Sequence, residues 1–154
     1  MIKVLFVCLG NICRSPMAEA VMRDLVKKRG LDDKIEVDSA GTSSWHIGEA
    51  PHYGTRNILK KYGISTDGIK ARQLQKQDFE EFDYIVGMDE SNIRNIRTML
   101  NQPNHPKIFR FLDLTTHKKD VPDPYYTGNF QETYDLVIDG CEALLDKILE
   151  DIKE

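Results

Sequence analysis

A chain of 154 residues, 40% hydrophobic and 30% charged, is long enough for one buried core and has the composition of an ordinary globular domain. Its net charge of −4 argues against general affinity for nucleic acid or an anionic membrane surface. No apolar stretch reaches the ~18 residues of a membrane-spanning helix. Three cysteines, an odd number with two of them close together, do not make a disulfide framework and suit a reducing cytoplasm.

The N-terminal segment MIKVLFVCLG has one lysine and an apolar run, but a charged helix follows it instead of a small-residue cleavage site. It reads as a strand, not a signal peptide. Residues 2–8 are short, β-branched and aromatic and end near Gly10, the pattern of a buried strand. From Pro16 to about Lys28, Met17, Ala20, Val21, Leu25 and Val26 fall on one helical face, with Ser15 as the expected N-cap and Pro16 in the first turn. A second strand over 34–42 precedes a helix over 51–63 that Gly63 should close. Residues 82–88 read as a third strand, 89–100 as a helix through Ile93, Ile96 and Leu100, and 107–114 as a fourth strand. The last helix, from about Phe130, carries Tyr134, Val137, Ile138, Cys141, Leu144, Leu145, Ile148 and Ile152 on one stripe. Strands alternating with helices predict a single α/β domain over 1–154. Its expected form is a four-stranded, mostly parallel sheet with helices on both faces, in three layers.

In such a sheet ligands bind beyond the carboxyl ends of the strands. Residues 9–15 lie at the end of the first strand and open onto a helix N-terminus, where free N–H groups and the helix dipole attract an anion. Gly10 allows close backbone approach, and Arg14 offers a planar fork matched to phosphate oxygens. Cys8 sits at the strand tip, aimed into this cradle, where a positive environment favours a nucleophilic thiolate. A chain that only bound phosphate would need the cradle but neither Cys8 nor an acid. DVPDPYYTGNF supplies two carboxylates, Asp120 and Asp123, the latter fixed by the following proline in a loop suited to reach over a pocket.

VCLGNICRSPMAEA resembles the N-terminal signature of the low-molecular-weight protein tyrosine phosphatases of bacterial type, and DPYY at 123–126 resembles their acid loop. DSAGT, ARQ and FDYIVGMDESN are similar to further segments of that family, so the resemblance runs nearly end to end. It implies a cysteine-dependent phosphatase that acts on phosphotyrosine and small aryl phosphates through a phosphocysteine intermediate. Cys8 would be the nucleophile and Asp123 the general acid and base. Leu9, Gly10, Asn11, Ile12, Cys13, Arg14 and Ser15 would hold the phosphate. Ser15 would also donate to the Cys8 sulfur, while Asn11 would brace the loop through Ser39, with Asp89 as a further support. Ile12, Trp45, Tyr125 and Tyr126 would form the walls that flank the substrate ring.

Cys13 is either a redox partner, able to form a disulfide with oxidised Cys8, or a small packing residue at the helix start. Cys141 is core filler. The histidines lack ligand spacing, so neither metal nor cofactor is expected. Phosphotyrosine proteins are the expected partners, with a cognate kinase as a further candidate, and no nucleic acid or membrane insertion is expected. Many family members carry a histidine where this chain has Ile69, which leaves the histidine's contact with Asp89 open. Arsenate reductases share the fold and loop but relay through further cysteines after the third strand, where this chain has IVGMDESN. Arginine phosphatases of the family carry threonine at the position of Ile12, and bulky Ile12 with Tyr125 suits a flat aromatic ring instead.

Overall fold

Strand β1 (Ile2–Cys8) is buried from Val4 to its end, as a near-continuous apolar run requires when both faces of a parallel sheet are covered. In the computed structural model of the chain, which describes residues 1–153, β1 lies between two parallel neighbours. These are β2 (Ile35–Gly41) and β3 (Tyr84–Gly87), and β3 in turn pairs with the edge strand β4 (Ile108–Arg110). The sheet order is β2-β1-β3-β4. Alternation along β1 sends Val4, Phe6 and Cys8 to one apolar core and Leu5 and Val7 to another. The first core is closed by α1 (Arg14–Lys28) and α6 (Phe130–Ile152), the second by α4 (Glu90–Leu100) through Ile96 and Leu100. This is the three-layer α/β arrangement that the alternation of elements predicts.

Several local expectations are corrected. Helix α1 begins at Arg14, with Cys13 at the N-cap making no side-chain capping bond, so Ser15 is inside the helix and is not its cap. Pro16 falls at the third helical position, still within the turn whose N–H groups lack helical partners. Helix α2 (Tyr53–Lys61) starts later than 51. His52 caps it by accepting from Gly54 N–H at 3.0 Å, and Tyr62 is its C-cap, followed by Gly63 at φ +71°. A short helix α3 (Asp78–Glu81) takes the chain up to Phe82, which leaves β3 only four residues.

The strand expected over 107–114 ends at Arg110 and becomes a 3-10 helix, Phe111–Leu114. Phe111 and Leu112 are adjacent yet both enter the first core, which the two-sided alternation of a strand forbids. Phe111 meets Phe6 edge-to-face at 5.5 Å. A Cβ on Gly140 of α6 would lie 2.3 Å from the Phe111 ring, so the apolar stripe is interrupted where the two elements meet. Along that stripe Tyr134, Val137, Cys141, Leu144, Leu145 and Ile148 are buried, Ile138 is half-buried, and Ile152 in the last turn is exposed. No helix is long and apolar enough to cross a membrane, among the described residues.

Candidate active site

The loops after all four strands gather at one edge of the sheet. After β1 the chain turns through residues 9–13 into α1, and Asn11 takes a left-handed conformation, φ +57°, which asparagine tolerates better than most side chains. Its backbone N–H donates to Cys8 Sγ at 3.3 Å. Neighbouring elements hold the cradle from outside. Thr42 N–H and Ser43 N–H donate to the carbonyls of Cys8 and Leu9, and His52 N–H donates to the carbonyl of Ile12. The buried Thr55 hydroxyl donates to the carbonyl of Cys13 at 3.1 Å. The closest backbone approach is at Gly41, where a Cβ would lie 2.8 Å from the carbonyl oxygen of Leu9. At Gly10 the nearest atom to a Cβ is a carbon of the His46 ring at 3.1 Å. Among protein contacts the demand for glycine therefore falls more heavily on Gly41 than on Gly10.

Cys8 is 3% exposed at the base of the cradle, and its sulfur lies 3.0 Å from Ser15 Oγ. Asn11 Nδ2 donates to Ser15 Oγ at 2.8 Å and to Ser39 Oγ at 2.9 Å, while Asn11 Oδ1 accepts from Arg72 N–H at 3.0 Å. Ser15, Asn11 and Ser39 are thus brought together beside the Cys8 sulfur. The buried Arg14 guanidinium donates through Nη1 to Asp89 at 2.7 Å and to the carbonyl of Val121 at 3.0 Å, and through Nη2 to Asp123 at 3.3 Å. Its Nε has no partner among the described residues. Burial works against the Arg14 charge, but the facing Cys8, Asp123 and Asp89 hold its pKa above the ordinary value. Asp89 also caps α4, accepting from Asn92 N–H at 2.7 Å. Ile69, in place of the family histidine, is buried in the first core, and the strong partner of Asp89 is Arg14.

Asp123 caps the short helix α5 (Pro124–Thr127), accepting from Tyr125 N–H at 3.1 Å. That helix, not foreseen in the sequence, presents Tyr125 and Tyr126 edge-to-face with ring centroids 5.4 Å apart. A cavity of about 160 Å³ has Cys8, Leu9, Gly10 and Cys13 in its lining. Ile12, Trp45, Tyr125 and Tyr126 line it as well, together with Asp123. Trp45, Tyr125 and Tyr126 are 73, 56 and 76% exposed, an aromatic rim over a polar base. Burial raises the Cys13 thiol to about 12, with Asp123 and Cys8 adding to the effect. Cys141 is fully buried and its thiol is likewise pushed up by burial. All three cysteines are free. No group of three His, Cys, Asp or Glu side chains converges as for a metal, among the described residues.

Four contributors escaped the sequence reading: His46, which lines the cavity, Val121 through its carbonyl, Arg72 through its backbone N–H, and Glu19, which accepts from Ser39. Glu19 had left a signal, as a carboxylate inside the otherwise apolar run PMAEAVM. A backbone donor such as Arg72 N–H leaves none.

The model of the family described as low molecular weight phosphotyrosine protein phosphatase matches residues 3–154. The chain is 57% identical over 150 residues to low molecular weight protein-tyrosine-phosphatase YfkJ of Bacillus subtilis, covering 96% of each chain. It is 49% identical over 152 residues to low molecular weight protein-tyrosine-phosphatase PtpA of Staphylococcus aureus, covering 98% of this chain and 96% of the relative. The crystal structure of YfkJ superposes with a TM-score of 0.95 over 98% of this chain and 96% of that one, at 56% identity. A Drosophila arginine phosphatase superposes with a TM-score of 0.86 over 96% and 98% of the two chains, at 36% identity. The chain therefore belongs to the low molecular weight phosphotyrosine protein phosphatases and is an enzyme of that family.

Proposed function

We propose that the chain hydrolyses phosphotyrosine in proteins, and small aryl phosphates, through a phosphocysteine intermediate. The observation that carries this reading is the Cys8 sulfur at the base of an aromatic-rimmed cavity, with Ser15 Oγ at 3.0 Å and Asn11 N–H at 3.3 Å, and Asp123 on the wall. The loop N–H groups and the free Arg14 Nε supply donors for the phosphoryl oxygens, the kind of fixed charge stabilisation that dominates phosphoryl transfer. The Cys8 thiolate attacks phosphorus as the bond to the phenolic oxygen breaks. The Asp123 carboxyl gives its proton to that oxygen. Water then attacks phosphorus, its proton passes to the Asp123 carboxylate, and the P–S bond breaks. The Ser15 hydroxyl stabilises the departing thiolate. The Arg14–Asp123 contact, 3.3 Å, holds the acid loop over the bound phosphoryl group.

Ile12, Trp45, Tyr125 and Tyr126 favour a flat ring as the leaving group. A reducing cytoplasm, with a tyrosine kinase supplying the substrate, fits a mechanism that needs Cys8 as a free thiol. Turnover of a phosphotyrosine peptide against a phosphoarginine peptide tests the reading. We expect the tyrosine peptide to be strongly preferred and Cys8→Ser to abolish turnover. Preference for phosphoarginine would transfer the substrate to the other chemistry, and turnover by folded Cys8→Ser would remove the nucleophile.

A further inference from the structure

Glu19 is a buried carboxylate, 5% exposed, on the second turn of α1, and no step of the reaction above consumes it. Its Oε1 accepts from the Ser39 hydroxyl at 2.6 Å, and Arg23 reaches its Oε2 at 3.3 Å. From Ser39 a continuous line of hydrogen bonds leads to the nucleophile, and the donor at each link is fixed by its neighbour. Arg72 N–H can only donate, so the Asn11 atom facing it at 3.0 Å is the carbonyl oxygen. The Asn11 amide nitrogen, which can only donate, therefore faces both serines, at 2.9 and 2.8 Å. Each serine oxygen accepts from it and keeps one proton to give. The Ser39 proton goes to Glu19. The Ser15 proton is left for the Cys8 sulfur at 3.0 Å.

We propose that Glu19 is a positioning residue of the phosphate loop: by taking the Ser39 proton it holds Asn11, and through Asn11 it directs the Ser15 hydroxyl onto the Cys8 sulfur. Without that acceptor, the buried Ser39 proton has only the Asn11 amide hydrogens beside it on this line. Its rotation there pushes the amide off Ser15. Asn11 is the loop residue held at φ +57°, so side-chain bonds also secure its backbone. Glu19 faces Arg23 on its own helix, Asp38 beside Ser39 on β2, and Arg72 from the segment after α2. Burial, with Asp38 adding to it, raises its carboxyl to about 6, against the opposing pull of Ser39, Arg23 and Arg72. The carboxylate is thus present at neutral pH.

This inference rests on Cys8 as the reactive thiol, so the test reads the thiol separately from turnover. Wild type, Glu19→Leu, which removes the acceptor, Ser39→Ala and the double variant are compared in two assays. The first is the pH profile of Cys8 alkylation by iodoacetate, with protection by inorganic phosphate. The second is kcat and KM for nitrophenyl phosphate. We expect Glu19→Leu to move the alkylation midpoint to higher pH and to lower kcat about tenfold, the scale of one lost charge-assisted hydrogen bond. KM should change less than twofold. In the Ser39→Ala background, Glu19→Leu should add no further loss, because its route to Cys8 is already cut. An unmoved alkylation profile, or losses that simply add, overturns the proposal. If Glu19→Leu does not fold, Ser39→Ala decides alone: an unchanged midpoint in it overturns the proposal equally. Absence of phosphate-protected alkylation in the wild type would instead overturn the reading of Cys8.

Discussion

Two carboxylates three positions apart in the 120–123 loop have different surroundings. Asp123 lines the cavity and meets Arg14 at 3.3 Å. Asp120 accepts from Glu90 N–H at 3.0 Å and from Arg110 at 3.1 Å, tying the loop to the start of α4. Asp123→Ala should therefore cost about 10²–10⁴-fold in turnover of phosphotyrosine, the range for a positioned acid. It should cost much less with nitrophenyl phosphate, whose leaving group spreads its own charge. Asp120→Ala should leave both rates close to wild type. Steady-state rates on the two substrates check this, and a leaving-group-dependent loss in Asp120→Ala would reverse the assignment. Cys13 also belongs to this scale. Its thiol is held up at about 12 by burial and then by Asp123 and Cys8. Once peroxide has converted the Cys8 thiolate to a neutral sulfenic acid, the Cys8 part of that repulsion is gone. Cys13 as thiolate can then displace hydroxide to form the disulfide. After mild peroxide, thiol reductant should restore wild-type activity more completely than that of Cys13→Ser, and equal recovery would leave Cys13 a packing residue. That Cys8 and Asp123 would face one cavity was legible in the sequence, from a cysteine at a strand tip and an aspartate fixed by a proline. Ser15 was misread as a helix cap because its hydroxyl has two local uses, and its place beside the sulfur was expected from the family resemblance, not from its position at the helix start.

At the scale of elements, the cradle depends on its neighbours as much as on its own residues. Gly41 ends β2 directly against Leu9 and Asn11, so Gly41→Ala should push the loop off the strand and lower kcat sharply while the sheet persists. Activity together with circular dichroism checks this, and full activity would show that the loop has slack. On the opposite side of the core, Gly140→Ala should destabilise the chain by about 1–3 kcal/mol, as overpacking does, because its methyl would enter the Phe111 ring. Denaturant titration reads that loss. The long periodic elements, β1, α4 and α6, were legible because one burial pattern runs through most of their length. The 3-10 helix after β4 was not, because Phe111 and Leu112 look like strand residues until their shared core makes both turn inward. The helix α5 was hidden in the same way, since DPYYT reads as turn chemistry without the Asp123 cap that closes it.

For the whole molecule, acidity links stability to function. Glu19 has a folded-state pKa of about 6 against an ordinary 4.5, so the folded chain holds that proton more tightly than the unfolded one. Its contribution to stability is complete below pH 4.5 and is lost as pH rises through about 6, a change of about 2 kcal/mol. Glu19→Gln should flatten that slope in denaturant titrations across the window and be at least as stable as wild type at neutral pH. A parallel slope in the two proteins would contradict it. On the proposed mechanism turnover needs a Cys8 thiolate and a protonated Asp123 in the same molecule, so kcat should fall on both the acid and the alkaline side of a maximum. The covalent intermediate itself is the most direct check of how the site works. Asp123→Ala, slowed in the water step by loss of its base, would be mixed with nitrophenyl phosphate, whose leaving group departs without the acid, quenched in acid during turnover and digested for mass spectrometry. Phosphate should be found on the peptide that carries Cys8 and be absent from the same peptide in Cys8→Ser. Phosphate on another residue, or none on Cys8 while nitrophenol is still being released, would contradict nucleophilic catalysis by Cys8.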